Sequence, residues 1–210
     1  MKCPLCGNRK AKRHCPAKGL QICPICCGTK REVEIDCPSD CTYLHEGREY
    51  ESEKIARTGQ LPARTPRLWD ERFTNRHYGV FLALWKVILS ERDRFPELVD
   101  TDVQATLDSL VQTYETLDRG IYYESLPSSA VQRSLYLSMK SLLEQSNKEL
   151  DVTRDRLKPE TILDCLRFQK ELAAWVVLPR PKSRVFLDHL EELVSESAPS
   201  QIEQPRIILP

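Results

Sequence analysis

Cysteines are the residues of this chain best suited to chemistry, and they are concentrated at the N-terminus. The chain has nine cysteines, and eight of them fall within residues 3–41, leaving only Cys165 elsewhere. Clustered cysteines in a reducing compartment are typical of metal sites rather than of disulfides. A segment this short, with little apolar periodicity, cannot bury enough surface to fold alone. We therefore expect bound metal to supply the missing free energy.

The spacing of these cysteines is that of zinc knuckles. Two pairs have the form Cys-Pro-x-Cys, in which two thiolates separated by two residues chelate one ion. A wider pair is followed, one helical turn later, by a histidine. Together with a single cysteine between the first two pairs, they supply enough ligands to close two tetrahedral sites. The predicted ligands are Cys3, Cys6, Cys15, Cys23, Cys26, Cys37, Cys41 and His45.

The sharing of these ligands between two zinc ions stays open at this point. The first knuckle (Cys3 and Cys6) pairs with either the second knuckle (Cys23 and Cys26) or the wide pair (Cys37 and Cys41). In the first case Cys15, the wide pair and His45 hold the second ion. Both arrangements place a ligand of one site inside the loop of the other. Cys27 and His14 are spare, and either could replace Cys15 or His45.

The order of the knuckles, the wide pair and His45 resembles that of HIT-type zinc fingers. The run from Cys3 to Cys26 is also similar to B-box spacing. Both families are small, cross-braced two-zinc modules that act mainly in protein–protein contact, so the resemblance implies a protein partner. The stretch from Ile22 to Leu44 further resembles bacterial zinc-finger proteins with a helical C-terminal half, and this resemblance implies no activity.

The charge pattern of the N-terminus suggests a second kind of partner. Residues 1–31 contain eight lysines and arginines and no acidic residue, a pattern that indicates nucleic-acid binding. However, seven thiolates outweigh the charge of two Zn²⁺ ions, and an alternative role for the basic residues is to balance the sulfur charge. No Phe, Trp or Tyr precedes Tyr43, so no base-stacking platform is visible. We therefore favour a protein partner, with nucleic acid as the alternative.

Signs of catalysis are weak throughout the chain. Eight ligands close both zinc sites, whereas a catalytic zinc keeps an open position. The chain has no HExxH, Walker, GxGxxG or GxSxG pattern, and no small-molecule substrate is indicated. Asp188 and His189 are expected on a solvated helix face, and Cys165 in an apolar core. We therefore predict a protein without enzymatic activity; a hydrolase would need one zinc with a bound water.

Apolar residues at three- and four-residue spacing predict that the rest of the chain is helical. One stripe runs from Val80 to Leu89 before Pro96, and another from Val103 to Leu117 before Gly120. Three more helices are predicted, beginning near Ser129, Pro159 and Ser183. Strand alternation is weak. We therefore expect an all-α helical bundle joined to a small, irregular zinc-bound module with few short strands.

The predicted organisation has four parts: a two-zinc module at 1–50, a linker at 51–66, an all-α domain at 67–197 and a flexible tail at 198–210. Lys+Arg and Asp+Glu both number 31, so the chain as a whole carries no charge bias towards nucleic acid. No stretch is long and apolar enough for a bilayer, and the N-terminus shows no secretory signal. These features predict a cytoplasmic protein without membrane contact.

Overall fold

The computed structural model describes residues 1–58, 71–150, 157–176 and 180–197. These residues are mostly helical, with one small two-stranded sheet, which confirms the prediction of a mostly helical chain. The last residues of the predicted linker and the predicted tail at 198–210 lie outside the described residues.

The N-terminal module (residues 1–50) contains a small antiparallel hairpin and two helices. Strand β1 (Arg13–Cys15) pairs with β2 (Leu20–Ile22), and an isolated bridge between Lys2 and Lys10 adds the chain's first residues beside them. Helix α1 spans Pro24–Lys30 and helix α2 spans Thr42–Thr58. Residues 51–58, which fall in the predicted linker, therefore continue a helix that begins in the module.

Five described helices follow the module, and we call them the helical part. Their bounds lie close to the starts and stops that the sequence predicts. Pro96 follows the end of the first, and Gly120, with a φ of +80°, stops the second in the left-handed conformation that favours glycine. The helices are α3 (Glu71–Arg94), α4 (Asp100–Asp118), α5 (Ala130–Leu150), α6 (Pro159–Val176) and α7 (Val185–Glu196).

The helical part has its own apolar core. Helix α4 lies against α5 and α6, while α3 contacts α5, α6 and α7. The predicted stripes face this core; Leu84, Ile88 and Leu107, for example, are completely buried. Trp85 Nε1 donates a 2.7 Å hydrogen bond to Gln169 Oε1 within the core, joining α3 to α6. Cys165 is also fully buried there, as expected of a core thiol.

The module lies against the end of the helical part where α3 ends and α7 begins. The peptide N–H of Lys182 donates to the carbonyl oxygen of Glu32 at 2.8 Å, and Arg184 pairs with Asp36 at 2.5 Å. The buried residues of the module nevertheless form a cluster separate from the helical core. None of the described helices is long and apolar enough to span a membrane.

Candidate metal centre

The first knuckle is shaped by a tight turn around its two sulfurs. The N–H of Gly7 donates to the carbonyl oxygen of Cys3 at 2.7 Å, and the N–H of Cys3 donates to Arg9 at 2.8 Å. Gly7 has a φ of +64°, and an added Cβ would meet no atom within 4 Å. Backbone conformation, rather than space, therefore favours glycine directly after the knuckle.

The second knuckle is formed where the hairpin leads into α1. Cys23 is the N-cap of this helix, and its Sγ accepts a hydrogen bond from the N–H of Cys26 at 3.3 Å. Pro24 occupies the first helical position, where its missing N–H costs nothing. The Cys-Pro-x-Cys sequence thus begins a helix, with one cysteine as its N-cap and the other in its first turn.

The two knuckles meet in one compact group of four sulfurs. The Sγ atoms of Cys3, Cys6, Cys23 and Cys26 all lie within 4.8 Å of one another, and Cys6 and Cys23 are 4.0 Å apart. A tetrahedral zinc with Zn–S bonds of about 2.3 Å separates its sulfurs by roughly 3.8 Å. None of these cysteines is in a disulfide. Their donor set and spacing therefore fit a four-thiolate metal site.

Peptide groups around this quartet favour ionised sulfur at some positions. The backbone N–H groups of Arg9 and Asn8 lower the pKa of Cys6 to about 6. Burial opposes ionisation of Cys3, but the N–H groups of Cys23, Leu5 and Cys6 outweigh it and lower its pKa.

Cys26 has the opposite environment, because burial and the neighbouring sulfurs raise its pKa to about 12. Four sulfurs this close cannot all be ionised without a counter-charge. A divalent cation supplies that charge, which is why metal binding displaces protons from such a site.

The remaining predicted ligands are not brought together so closely. Cys15, Cys37 and Cys41 are buried in the core of the module, with exposed fractions of 7%, 9% and 9%. His45 lies on the exposed side of α2. Within the described ranges, the first quartet is the one group of at least three possible ligands whose atoms all lie within 4.8 Å. The structure thus pairs the two knuckles, and it leaves the second predicted set unassembled.

The two spare residues, Cys27 and His14, have different environments. Cys27 is half-buried on α1, and its Sγ accepts a hydrogen bond from Arg13 Nη1 at 3.7 Å. His14 is exposed on β1.

A network of ion pairs anchors the module to the helical part. Glu32 has an exposed fraction of 1%, and its carboxylate accepts hydrogen bonds from Arg48 at 2.7 Å and Arg180 at 3.0 Å. Asp188, on α7, accepts from Arg48 and Arg92 at 2.9 and 3.0 Å. On the same helix Glu191 and Glu192 are exposed, so the expectation of a solvated face is wrong only for Asp188. Its partners are distant in sequence, and no local pattern could have identified them.

A cavity of about 650 Å³ lies near the other end of the helical part, between α4, α5 and the start of α6. Tyr114, Tyr122 and Lys140 contribute to its lining. Lys140 pairs with Glu124 and also donates to the Tyr122 hydroxyl at 2.8 Å. The charge of Lys140 is therefore compensated by neighbouring carboxylates.

Comparison of the chain with protein-family models, with curated proteins and with solved structures found no match. The similarity to HIT-type and B-box fingers remains a prediction from cysteine spacing.

Proposed function

We propose that the chain is a zinc-binding, non-enzymatic protein-interaction protein, an adaptor whose structural zinc ions hold the N-terminal module rigid. The observation that carries this proposal is the sulfur quartet of the two knuckles. Its four ligands all come from the protein, and three of them are almost completely buried. Such closed tetrahedral sites are typical of structural zinc, whereas catalytic zinc keeps a position for water or substrate.

Zinc is the metal that this donor set favours. Four thiolates in a roughly tetrahedral arrangement suit zinc or iron, and hard cations such as magnesium prefer oxygen. The spacing of the knuckles does not match the usual cysteine runs of ferredoxin-type iron–sulfur clusters. We propose a second structural zinc in the same module, as the eight predicted ligands require, and place the protein in the cytoplasm.

The helical part is proposed to form a bundle that serves as the body of the adaptor. Support comes from its apolar core, to which all five helices contribute buried residues. The exposed side chains of Ile121, Tyr122 and Tyr123, between α4 and α5, are 60–66% accessible and provide an apolar surface for contact.

The proposal is tested by measuring the metal content and coordination of the full-length protein. Native mass spectrometry should find bound zinc, and X-ray absorption should find only sulfur or imidazole nitrogen around it. Cys6→Ser should remove the first zinc, whereas Cys165→Ala, which deletes a thiol of the helical core, should keep it. A zinc with a water ligand, or a protein without metal, would refute a closed structural site.

A second candidate function, nucleic-acid binding, is favoured by the exposed face of the small sheet. Side chains alternate along β1, so His14 is exposed while Arg13 and Cys15 turn inward. Lys12 and Lys10 continue the exposed face, and Lys2 lies opposite Lys10.

Three acidic residues of the module pair with basic residues outside this face. Glu32 pairs with Arg48 and Arg180, Asp36 with Arg184, and Glu34 with Lys30. In the part of the chain that the structure describes, the lysines of the face have no acidic partner. The face carries no Phe, Tyr or Trp, so it would contact phosphates rather than stack on bases.

Salt dependence distinguishes this candidate from the adaptor. If the face binds duplex DNA, replacing Lys2, Lys10 and Lys12 by Gln should make the slope of log affinity against log salt shallower by about 3. Replacing Lys86 and Lys158 of the helical part by Gln should leave the slope unchanged. Absence of measurable binding by the unaltered protein at low salt would eliminate the candidate.

A further inference from the structure

We propose that the cavity between α4, α5 and the start of α6 binds a small, uncharged and largely apolar molecule that carries a hydrogen-bond acceptor such as a carbonyl oxygen. The hydroxyl group of Tyr114, which lines the cavity, donates to this acceptor. The site belongs to the helical part and shares no residue with the metal centre. It is therefore a further binding function, and its failure would leave the zinc proposal intact.

The size and the lining of the cavity are those of a ligand pocket. Its volume is about 650 Å³, whereas small-molecule sites usually measure roughly 300–1,000 Å³. Apolar groups form most of its wall, among them Leu117 near the end of α4, Leu157 before α6, and Pro159 and Ile162 in α6. Ile162 is only 2% exposed and belongs to the helical core. One wall of the cavity is therefore part of that core.

Tyr114 contributes a polar group that lacks a partner. The residue is 5% exposed, and among the residues that the structure describes none forms a hydrogen bond with its hydroxyl. Buried tyrosine hydroxyls usually have such a partner, because removing a polar group from water without one costs free energy. A ligand in the cavity supplies the missing hydrogen bond.

The other two hydroxyl groups of the cavity lining are already paired within the protein. Thr113 Oγ1 donates to the carbonyl oxygen of Ser109 at 2.9 Å and lies 2.8 Å from the Tyr136 hydroxyl. The Tyr122 hydroxyl accepts a hydrogen bond from Lys140 at 2.8 Å. Tyr114 is thus the exception among these three, which is why its hydroxyl is assigned to the ligand.

The charges at the cavity indicate that the ligand is uncharged. Lys140 pairs with Glu124, lies 3.5 Å from Glu144 and donates to the Tyr122 hydroxyl, so each of its three N–H groups has a partner. No donor of this ammonium group is left for an anionic ligand. Lys158 also lines the cavity, but it is exposed, and water and salt screen its charge.

The Tyr114 hydroxyl keeps its proton at neutral pH and is therefore able to donate. Burial and the negative charge of Glu144 raise the pKa of Tyr114 to about 12. An acceptor without charge, such as a carbonyl oxygen, satisfies this donor. It also adds no charge to a cavity with apolar walls, where an unpaired charge is costly.

The site is tested by titrating the zinc-loaded, full-length protein into Prodan, an uncharged naphthalene with one ketone oxygen. Prodan fluorescence shifts to shorter wavelength when the probe enters an apolar site. We expect one binding site with a dissociation constant at or below about 0.2 mM, which is ordinary for a ligand of this size. Anilinonaphthalene sulfonate, an anionic probe built on the same ring system, should bind at least about tenfold more weakly.

Tyr114→Phe removes the hydroxyl and keeps the ring. This variant should bind Prodan about three- to tenfold more weakly, which is the effect of one hydrogen bond. Its midpoint of urea unfolding without ligand should stay unchanged or rise, because the hydroxyl has no protein partner to lose. The matched control is Tyr50→Phe on α2, outside the cavity, which should bind Prodan as the unaltered protein does.

Leu117→Trp tests the cavity itself, because the larger side chain takes up space in it. Prodan affinity should fall at least about tenfold, since the cavity is then too small for the probe. If this variant does not fold, Leu157→Trp replaces it, with the same expected loss; residue 157 lies outside the helices.

Each contrary result overturns a stated part of the inference. Absence of Prodan binding, or unchanged affinity in the tryptophan variant, would overturn the binding site. Tighter binding of the anionic probe would overturn the uncharged class of ligand. Unchanged Prodan affinity in Tyr114→Phe, or a lower stability of that variant without ligand, would overturn the role of the Tyr114 hydroxyl.

Discussion

Glu32 illustrates how a single residue can join two parts of the molecule. It is one of the most buried charged residues described, and it has a φ of 55°, in the left-handed region where residues other than glycine are uncommon. Its carboxylate holds Arg48 and Arg180, while its carbonyl oxygen accepts from Lys182. The cost of burying the Glu32 carboxylate is therefore offset by its arginine partners. The cost of its backbone conformation is offset by the hydrogen bond to its carbonyl oxygen.

Replacing Glu32 by Gln should lower the free energy of unfolding by about 1–3 kcal/mol. The change removes the buried negative charge between two largely buried arginines, although Arg48 keeps Asp188 and Arg180 keeps Glu51 as a partner. Urea unfolding measures this loss. The control, Glu53→Gln on the exposed side of α2, should change stability by less than about 0.5 kcal/mol. Equal effects of the two variants would contradict a specific role for Glu32.

Asp100 is a second buried acidic residue, and its ionisation should make the stability of the protein depend on pH. Burial raises its pKa to about 6, although its carboxylate accepts N–H groups from Phe186 and Leu187 at the start of α7. The folded protein therefore binds this proton more tightly than the unfolded chain does. The contribution of this proton to the free energy of unfolding is present at pH 4 and is lost as the pH rises through about 6.

We expect the unfolding free energy of the unaltered protein, minus that of Asp100→Asn, to decrease by up to about 3 kcal/mol between pH 4 and pH 7. Asn has the same shape and no proton to release in this range. Denaturant titrations of both proteins at several pH values provide the measurement. A difference that stays constant would show that the buried carboxyl has an ordinary pKa, and a difference that increases with pH would show that its pKa is lowered.

At the scale of the elements, α2 is constrained by the arginine that packs on it. Arg31 donates to the carbonyl oxygens of Gly28 and Tyr43, each at 3.4 Å, and so connects α1 to α2. A Cβ at Gly47 would collide with the Arg31 guanidinium. An alanine at this position therefore has to displace the end of the Arg31 side chain, whereas glycine, a weak helix former, leaves it in place.

The paired substitutions Gly47→Ala and Gly79→Ala test this constraint. Gly79 lies in α3, where an added Cβ meets no atom within 4 Å, so alanine should stabilise the protein by about 0.5–1 kcal/mol. The same change at Gly47 should forfeit that gain, because Arg31 must leave its two carbonyl partners. Thermal or urea unfolding compares them. A gain of equal size at both positions would mean that Arg31 moves aside without cost.

At the scale of the whole molecule, two cores are joined by a polar contact. The module depends on cysteines for its interior, whereas aliphatic and aromatic side chains fill the helical core. Between them lie ion pairs made by Arg48, Arg92, Arg180 and Arg184. The module and the helical part should therefore respond differently when metal is removed.

Chelation of the metal should raise amide hydrogen exchange throughout residues 1–45 and at Lys182, whose N–H is bonded to Glu32. Amides of α4 and α6 should keep their protection, because their apolar core contains no metal ligand of the predicted set. Exchange followed by mass spectrometry, with zinc-loaded protein as the reference, makes the comparison. Loss of protection across the whole chain would show that the helical part cannot fold without the module.

The sequence by itself determined the features that depend on near neighbours. Knuckle spacing predicted the paired cysteine ligands, and the apolar stripes, Pro96 and Gly120 predicted the helices, since knuckles and helix ends are local properties. Only the tertiary structure decided which pairs of cysteines meet, that His45 lies outside the buried cluster, and that Asp188 is engaged by arginines. Those outcomes depend on contacts between residues far apart in the chain, such as Arg48 with Asp188. Local spacing and periodicity do not predict such contacts.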